Sequence, residues 1–313
     1  AAESNFKAQV IDPEIKVGYG LAIGDVNGDG KDDILLADKQ DFFWYENPTW
    51  ERHLFWSVAE GEARESMRDN VCIAARDIDG DGKVEVAVGT NWNPGETSDV
   101  EKSGGVWFVG SLGKIEPKKL PHDPTTHRMH WVKMEDGYSI VVAPLHGRGN
   151  KGGAGENGTR LHAYHAGENP YKSSWERSVV NEQLHKIHNF EPIQGANSAS
   201  ESVVIASGEG LLLARQVDGE WKSRTSDSLS NGAGEIRIGG LSPNGAPESV
   251  ATIEPMHGNE VVINPEEKAG LWSKNRVVID DGLNQGHALV AGDFLGLGYD
   301  QVVAGWRQKA GEE

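Results

Sequence analysis

Short apolar runs alternate with glycine- and aspartate-rich turns along the whole chain. The segments GDVNGDGKDDILLA, from Gly24, and RDIDGDGKVEVAVG, from Arg76, have the same order: an apolar run, an aspartate-rich loop and a second apolar run. Apolar runs of about four to eight residues bounded by turn residues are typical of β-strands. Each segment therefore predicts a hairpin with a charged tip.

The same hairpin frame recurs at intervals of 47 to 61 residues. Propeller blades repeat at about 40 to 50 residues, and the longer intervals contain insertions such as GRGNKGGAGENG, which begins at Gly147. The pattern predicts an all-β protein with one domain over residues 1–313, a β-propeller of four-stranded blades. The predicted repeat starts lie near Tyr19, Val71, His127, His188, Glu235 and His287.

A tryptophan-led run stands just before several repeat starts and predicts the outermost strand of the preceding blade. These runs are WERHLF from Trp50, WERSVV from Trp175, WKSRT from Trp221 and LWSKNRVVIDD from Leu271. The N-terminal run NFKAQVID, residues 5–12, has the same form but no blade before it. We therefore expect it to close the ring as the outer strand of the last blade.

Composition narrows the function classes. The 40 glycines and 13 prolines of the 313 residues favour many turns, and the formal net charge of −18 argues against nucleic acid as a partner. No apolar run is long enough for membrane insertion. The single cysteine, Cys72, lies in an apolar run and is expected to be a buried core residue. The chain opens at Ala-Ala-Glu-Ser without a hydrophobic leader, as a mature exported protein does, so we expect a secreted or periplasmic location.

The two sharp loops have the composition of calcium sites, because hard oxygen ligands alternate with glycines in a tight turn. The flanks are strand-like and position twelve of the first loop is Leu36, which argues against an EF-hand. We expect two structural Ca²⁺ ions and no metal in the loops of the later repeats, which have lost these side chains. The predicted ligands are Asp25, Asn27, Asp29, Asp33 and the Lys31 carbonyl in the first loop, and Asp77, Asp79, Asp81, Glu85 and the Lys83 carbonyl in the second.

The opposite rim is where chemistry is expected. Inner strands of a propeller surround one channel, so polar side chains at equivalent repeat starts should converge. The predicted rim set is Tyr19, His127, Arg128, His188, Asn189, Glu235 and His287 at the starts, with Trp92, His146, Arg148, His257, Asn259, Trp306 and Arg307 at the ends of second strands.

A further divalent metal at this rim is one reading of the histidines. The pairs His127 with His130 and His185 with His188 are three apart, so on a strand their side chains point to opposite faces. If the trio of His127, His188 and His287 meets across the channel, it supplies a ligand set.

The two aspartate-rich loops with their strand flanks resemble the FG-GAP/VCBS family of propeller repeats. In finer detail the chain resembles the propeller domain of aldos-2-ulose dehydratases, and more distantly propeller-type polysaccharide lyases such as rhamnose-glucuronate lyases. The segments that carry the finer resemblance are VGYGLAIGDVNGDGKDDILLAD, THRMHW, HKIHNF, GAGEIRIGGL, IEPMHGNEVVI and GHALVAGDF. The resemblance implies seven blades and elimination across a sugar C–O bond. The sequence ends within the sixth repeat and has no cupin domains, so the cupin-dependent isomerase step is not expected.

The expected function is that of a carbon–oxygen lyase acting on a carbohydrate by β-elimination. This reaction needs a base, a group that stabilises the developing enolate, and an acid for the leaving oxygen. We expect His127 or His188 as base, Tyr19 or His287 as acid, and Arg128, Arg148 and Asn189 around the electron-withdrawing group. Trp92 and Trp306 are expected to stack on sugar faces, and the further sugar contacts are His146, Glu235, His257, Asn259 and Arg307.

Two other functions stay open. The alternative is a non-catalytic FG-GAP propeller that binds carbohydrate or protein. A glycoside hydrolase ranks third, because it needs two carboxylates and only Glu235 stands at a repeat start. The identity of the sugar, the choice between ketone and uronate, and the oligomeric state are not determined by the sequence.

Overall fold

A computed structural model describes residues 6–58, 67–151, 155–167, 169–172, 174–195, 198–226, 232–241, 247–268, 271–272 and 275–307. These residues form 23 strands and no helix, in six antiparallel sheets that follow one another along the chain. The prediction of an all-β, blade-based propeller is confirmed.

Five sheets have four or five strands and the sixth has two. The first blade contains β1 (Gly20–Gly24), β2 (Asp33–Ala37), β3 (Asp41–Glu46) and β4 (Glu51–Ser57). The second contains β5 (Cys72–Arg76), β6 (Glu85–Gly89), β7 (Val106–Ser111) and β8 (Lys114–Leu120). The third contains β9 (Thr126–Met134), β10 (Gly137–Pro144), β11 (Leu161–His165) and β12 (Glu176–Asn181). The fourth contains β13 (Ile187–Gln194), β14 (Glu201–Ser207), β15 (Gly210–Val217) and β16 (Glu220–Ser226). The fifth contains β17 (Glu235–Leu241), β18 (Pro247–Glu254), β19 (Glu260–Lys268) and β20 (Leu271–Trp272), with β21 (Val277–Asp280) also paired to β19. The sixth contains β22 (Gly286–Gly292) and β23 (Gln301–Trp306).

The first strand of each sheet packs against the first strand of the next, from β1 through β5, β9, β13 and β17 to β22. These six strands begin within one residue of the six predicted repeat starts. They are therefore the inner strands, and the side chains at their starts share one end of the channel.

The core lies between neighbouring blades. Successive side chains on a strand point to opposite faces, so a single inner strand serves two interfaces. On β9, Met129 packs in the cluster shared with the second blade, whereas Val132 packs in the cluster shared with the fourth. Five such clusters join the six sheets in order.

The outer faces of the first and last sheets are not covered by other described residues. Leu21 and Ile23 on β1 are 64% and 66% exposed, and Val290 and Val303 on the sixth sheet are 48% and 50% exposed. The prediction of a closing strand over residues 5–12 is not met by the described part of that segment, because residues 6–12 form no strand. Asp12 is bound instead to the first blade, where it accepts hydrogen bonds from Tyr45 at 2.7 Å and Arg52 at 3.1 Å.

The described residues contain no helix long and apolar enough to cross a membrane. Cys72 is buried in the cluster between the second and third blades. Burial raises the pKa of its thiol to about 12, so the thiol stays protonated and unreactive at neutral pH.

Candidate functional site

Four histidines from four blades meet at the mouth of the channel. His127, His188 and His287 lie at the starts of β9, β13 and β22, and His257 lies in the loop between β18 and β19. We call these four residues the histidine cluster.

Ring contacts connect the whole histidine cluster. The ring centroid of His188 lies 4.7 Å from that of His127, 4.5 Å from that of His257 and 5.0 Å from that of His287. The ring centroids of His257 and His287 are 4.6 Å apart. The Nε2 atoms of His188 and His257 are 2.7 Å apart, which is a hydrogen-bond distance. His188 is thus the centre of the cluster.

Glu235, at the start of β17, supports His188 from behind. The Nδ1 atom of His188 donates to the Gly234 carbonyl oxygen at 2.8 Å and lies 3.1 Å from a Glu235 oxygen. A carbonyl oxygen only accepts, so Nδ1 carries the proton and Nε2 of His188 accepts from His257. The Asn189 amide donates to the other Glu235 oxygen.

The electrostatics keep the Glu235 carboxylate ionised. It is only 2% exposed, and burial alone would raise its pKa. The contact with His188 and the charges of Arg128 and Arg237 outweigh burial and lower the pKa of Glu235 to about 2. A nitrogen of Arg128 lies 3.8 Å from the carboxylate.

Two guanidinium groups contact the cluster, one at His127 and one at His287. Nη1 of Arg128 lies 3.2 Å from Nε2 of His127, and Nη2 of Arg307 lies 2.7 Å from Nε2 of His287. Because an arginine only donates, both imidazoles accept through Nε2. The indole of Trp92, from the second blade, lies against the His127 ring at 5.0 Å between centroids.

Burial lowers the pKa of every member of the cluster. For His257 burial and the neighbouring His188 lower the pKa to about 4, and for His287 the same two causes lower it to about 3. Burial and Arg128 hold the pKa of His127 well below its usual range, and burial also lowers that of His188. At neutral pH the imidazoles are therefore uncharged, the form in which they accept protons or bind metals.

Nitrogen atoms of His188, His257 and His287 lie within 4.8 Å of one another. This trio is the described histidine group suited to a metal, and it contains His257 where the sequence analysis expected His127. The histidines that stand three residues from His127 and His188 in the sequence, His130 and His185, contribute no further ligand to this trio. His130 packs against Phe190 at 5.0 Å, and His185 pairs with Glu209 at 2.8 Å.

Several predicted rim residues lie away from the cluster. Tyr19 is 54% exposed, and no described contact joins it to the histidines. His146 is buried and forms a backbone bridge with Lys186, with no hydrogen-bond partner described for its Nδ1 atom. Arg148 lines a separate polar groove of about 600 Å³ with Asn157 and Arg160.

Two more predicted contacts have other neighbours. The Asn259 amide donates to the Asp281 carbonyl at 3.0 Å, which holds the His257 loop. Trp306 pairs with Gly286 across the sixth sheet and lines an apolar cleft of about 350 Å³ with Val261 and Leu283.

Sequence reasoning did not find the close contact between His257 and His188, nor the role of the Gly234 carbonyl. His257 was expected at this rim, at the end of a second strand, but only as a sugar contact.

The two acidic loops lie at the opposite end of the hairpins. In the first loop, Asp25 accepts hydrogen bonds from the backbone of Gly28 and Gly30 at 2.7 Å, and Lys31 pairs with Asp29 at 2.6 Å. Buried Asp33 accepts from the backbone of Val26 and Asn47. By accepting these backbone N–H groups, the carboxylates stabilise the turn of the loop.

The second loop brings its acidic groups closer together. Carboxylate oxygens of Asp77, Asp79 and Glu85 lie within 4.8 Å of one another. Gly80 and Gly82 have φ angles of 81° and 87°, which glycine adopts at little cost and other residues rarely adopt. The arrangement suits a hard cation. Burial raises the pKa of Glu85 to about 7.

Comparisons with known proteins agree with the fold. No curated protein sequence matches the chain. An Agrocybe aegerita lectin that recognises non-reducing terminal N-acetylglucosamine has 12% identity and a TM-score of 0.57, over 93% of this chain and 75% of the lectin chain. BBS1N, solved in complex with ARL6DN, has 13% identity and a TM-score of 0.53, over 90% and 74% of the two chains.

An auxiliary nutrient binding protein from Bacteroides thetaiotaomicron has 8% identity and a TM-score of 0.50, over 89% of this chain and 65% of that chain. At these identities the likeness is one of fold. The sequence comparison is narrower and more specific: residues 18–88, which contain both acidic loops, match the FG-GAP-like repeat family.

Proposed function

We propose that the channel mouth is a carbohydrate site and that the protein is a carbon–oxygen lyase acting by β-elimination. The observation that carries the proposal is the convergence of four neutral imidazoles beside buried Glu235, with Arg128 and Arg307 at the edges. β-Elimination removes a proton next to a carbonyl or carboxylate and expels an oxygen from the adjacent carbon. Imidazoles and guanidinium groups are suited to these tasks.

His257 is the best placed base. Both nitrogens of His188 are engaged, and Arg128 occupies Nε2 of His127. His257 contacts His188 through Nε2, and none of the described hydrogen bonds involves its Nδ1 atom. We therefore assign proton abstraction to His257 in place of His127 or His188.

The same residue completes the proton balance. The C–H electron pair forms the new double bond, the C–O bond breaks, and the proton taken by His257 returns to the departing oxygen. Tyr19 lies outside the cluster and is not needed as the acid. Arg128 and Arg307 supply positive charge for the enolate or carboxylate oxygen that develops during the reaction.

The donor set also fits a divalent cation. His188 holds its Nδ1 proton on the Gly234 carbonyl, as metal-binding histidines commonly do, which leaves Nε2 for a ligand. His257 and His287 would complete the set, and a cation bound there would polarise a substrate oxygen. A ligating imidazole is not available as a base. Metal dependence and the base role of His257 are therefore alternatives that one experiment separates.

The second candidate is a non-catalytic carbohydrate-binding propeller, favoured by the fold likeness to a lectin. It predicts sugar binding at the same mouth without turnover. A glycoside hydrolase is less well supported because Glu235 is the one carboxylate of the described residues in contact with the cluster, and it is buried.

The test is ultraviolet absorbance near the enol or unsaturated-uronate band during incubation with anhydrofructose, glucosone and uronate-containing glycans. The wild type is compared with His257→Gln and with His165→Gln, a matched change in a histidine that lies 3.6 Å from Asp136, away from the cluster. We expect a signal that His257→Gln reduces about 100-fold or more and that His165→Gln retains. Chelator and added Zn²⁺ then decide between the base and the metal role. Binding without absorbance change supports the second candidate.

We also propose that the acidic loops hold two structural Ca²⁺ ions. The support is the composition of the loops, their glycine turns and the grouping of Asp77, Asp79 and Glu85. A bound ion would offset the repulsion among the carboxylates and stabilise the first two blades.

A further inference from the structure

The loop that carries His257 has a narrow neck with two acidic residues facing each other. It joins β18 to β19, and the register places Glu254 directly opposite Glu260. Like charges directly opposite on paired strands destabilise the pairing. Glu254 is only 3% exposed, so its charge needs a partner.

Arg276 bridges the two carboxylates. Its Nε atom donates to Glu254 at 3.0 Å, and its Nη2 atom donates to Glu260. Thr252 also donates to Glu254, at 2.6 Å, and the Asn264 amide contacts both Thr252 and Glu254. The neck is therefore closed by a network with Arg276 as its cationic member.

Backbone hydrogen bonds connect the neck of the loop to the histidines. The Gly258 nitrogen donates to the Pro255 carbonyl at 2.6 Å, and the Gly258 carbonyl accepts from Gly286 at 2.9 Å. Gly286 directly precedes His287. His257 has a φ of 54°, a left-handed conformation that a non-glycine residue adopts only when its surroundings impose it.

We propose that Arg276 is a positioning residue that clamps Glu254 to Glu260 and so holds His257 against His188. The proposal rests on the role assigned to His257 in the proposed function. Without the clamp, two carboxylates face each other across the neck, the loop opens, and the His188–His257 hydrogen bond is lost. Arg276 acts through the loop, since no described contact joins it to a histidine.

The test uses the full chain with ¹⁵N-labelled histidine and long-range ¹⁵N–¹H correlation spectra. Arg276→Gln is compared with Arg276→Gln/Glu260→Gln, which removes the facing charge, and with Arg52→Gln. Arg52 is the matched control because it also lies near two carboxylates, at 3.1 Å from Asp12 and 3.9 Å from Glu14, but on the first blade. Melting temperature is recorded for every variant.

In Arg276→Gln we expect the ring nitrogen resonances of His188 and His257 to move, whereas those of His162, which is bound to Asp123, stay in place. The double variant should restore the wild-type positions, and Arg52→Gln should leave them unchanged. In an activity assay kcat/KM should fall about tenfold or more in Arg276→Gln and recover in the double variant.

Unchanged His188 and His257 resonances in a folded Arg276→Gln protein would overturn the clamp, as would failure of the double variant to restore them. The spectra are recorded without a sugar. A wild type that turns over no sugar therefore contradicts the proposed lyase but leaves the test of the clamp intact.

Discussion

The two ends of the propeller are built in different ways from the same hairpin frame. At one end, each acidic loop takes its side chains from a single turn, such as Asp77 to Glu85. At the other end, the histidine cluster takes its four members from four blades, with Glu235, Arg128 and Trp92 as neighbours.

The difference decides how each end responds to change. A loop site is formed by one turn, so a substitution in it should destabilise one blade and leave the other blades folded. The cluster is assembled by the packing of β9, β13, β17 and β22, so its chemistry depends on the position of every blade that contributes. The predictions below separate the two ends, from the largest expected effect to the smallest.

The largest effect is expected from Glu235→Gln. This change removes the charge that supports His188 and faces Arg128, so the rate of elimination should fall about 100-fold or more. Glu191→Gln is the matched control, because Glu191 on β13 pairs with Arg237 on β17 at 3.6 Å, and no described contact joins Glu191 to the histidine cluster. Equal losses in the two variants would mean that Glu235 has no special role at the mouth.

Calcium should act on the other end alone. Saturating Ca²⁺ should raise the melting temperature by about 5 °C or more relative to protein in chelator, since ligand at about 100 times its Kd contributes about 2.7 kcal/mol. Asp77→Asn should reduce this shift, because Asp77 belongs to the group with Asp79 and Glu85. Asp293→Asn should leave the shift in melting temperature unchanged, because the equivalent loop of the last repeat, residues 293–298, has only this one carboxylate. A rise that is the same in both variants would contradict the loop sites.

Low pH should destabilise the histidine mouth. The pKa values of His257 and His287 are lowered by burial to about 4 and about 3, below the unfolded value near 6.5. These histidines therefore bind protons first in the unfolded chain, and their contribution to stability is full above about pH 6.5 and falls as the pH decreases towards 4. His257→Gln should flatten this part of the stability curve measured by denaturant unfolding. An unchanged curve would place the acid sensitivity elsewhere.

The hairpins with their acidic loops could be predicted from the sequence, whereas the histidine cluster could be predicted only in part. The repeat frame predicts inner strands within one residue of their observed starts, because apolar runs and glycine turns are read directly from neighbouring residues. The frame also predicts that His127, His188 and His287 share a rim. It contains no distances between blades, and so the His188–His257 contact and the separation of Tyr19 from the cluster do not follow from it.

The closing strand illustrates the same limit. Residues 5–12 have the apolar pattern of an outer strand, but residues 6–12 form no strand, and Asp12 is bound to the first blade through Tyr45 and Arg52. An apolar pattern indicates that a segment can form a β-strand. Whether the segment pairs with a sheet, and with which edge, depends on packing elsewhere in the molecule.

The smallest effect is expected from Tyr19→Phe. The hydroxyl of Tyr19 has no described contact with the histidine cluster, and the side chain is half exposed. Both kcat and KM should stay within about twofold of wild type, because the change touches no reacting group. A loss above about tenfold would restore Tyr19 as the acid and extend the site to the first blade.

The central claim is that the ligand binds at the histidine mouth, and a sugar titration followed by histidine ring resonances tests it most directly. Addition of anhydrofructose or a uronate disaccharide to ¹⁵N-histidine protein should shift the signals of His188, His257 and His287 in one saturable step. Those of His162 and His165 should stay unchanged. Saturable binding that leaves the three mouth histidines unmoved would contradict the account.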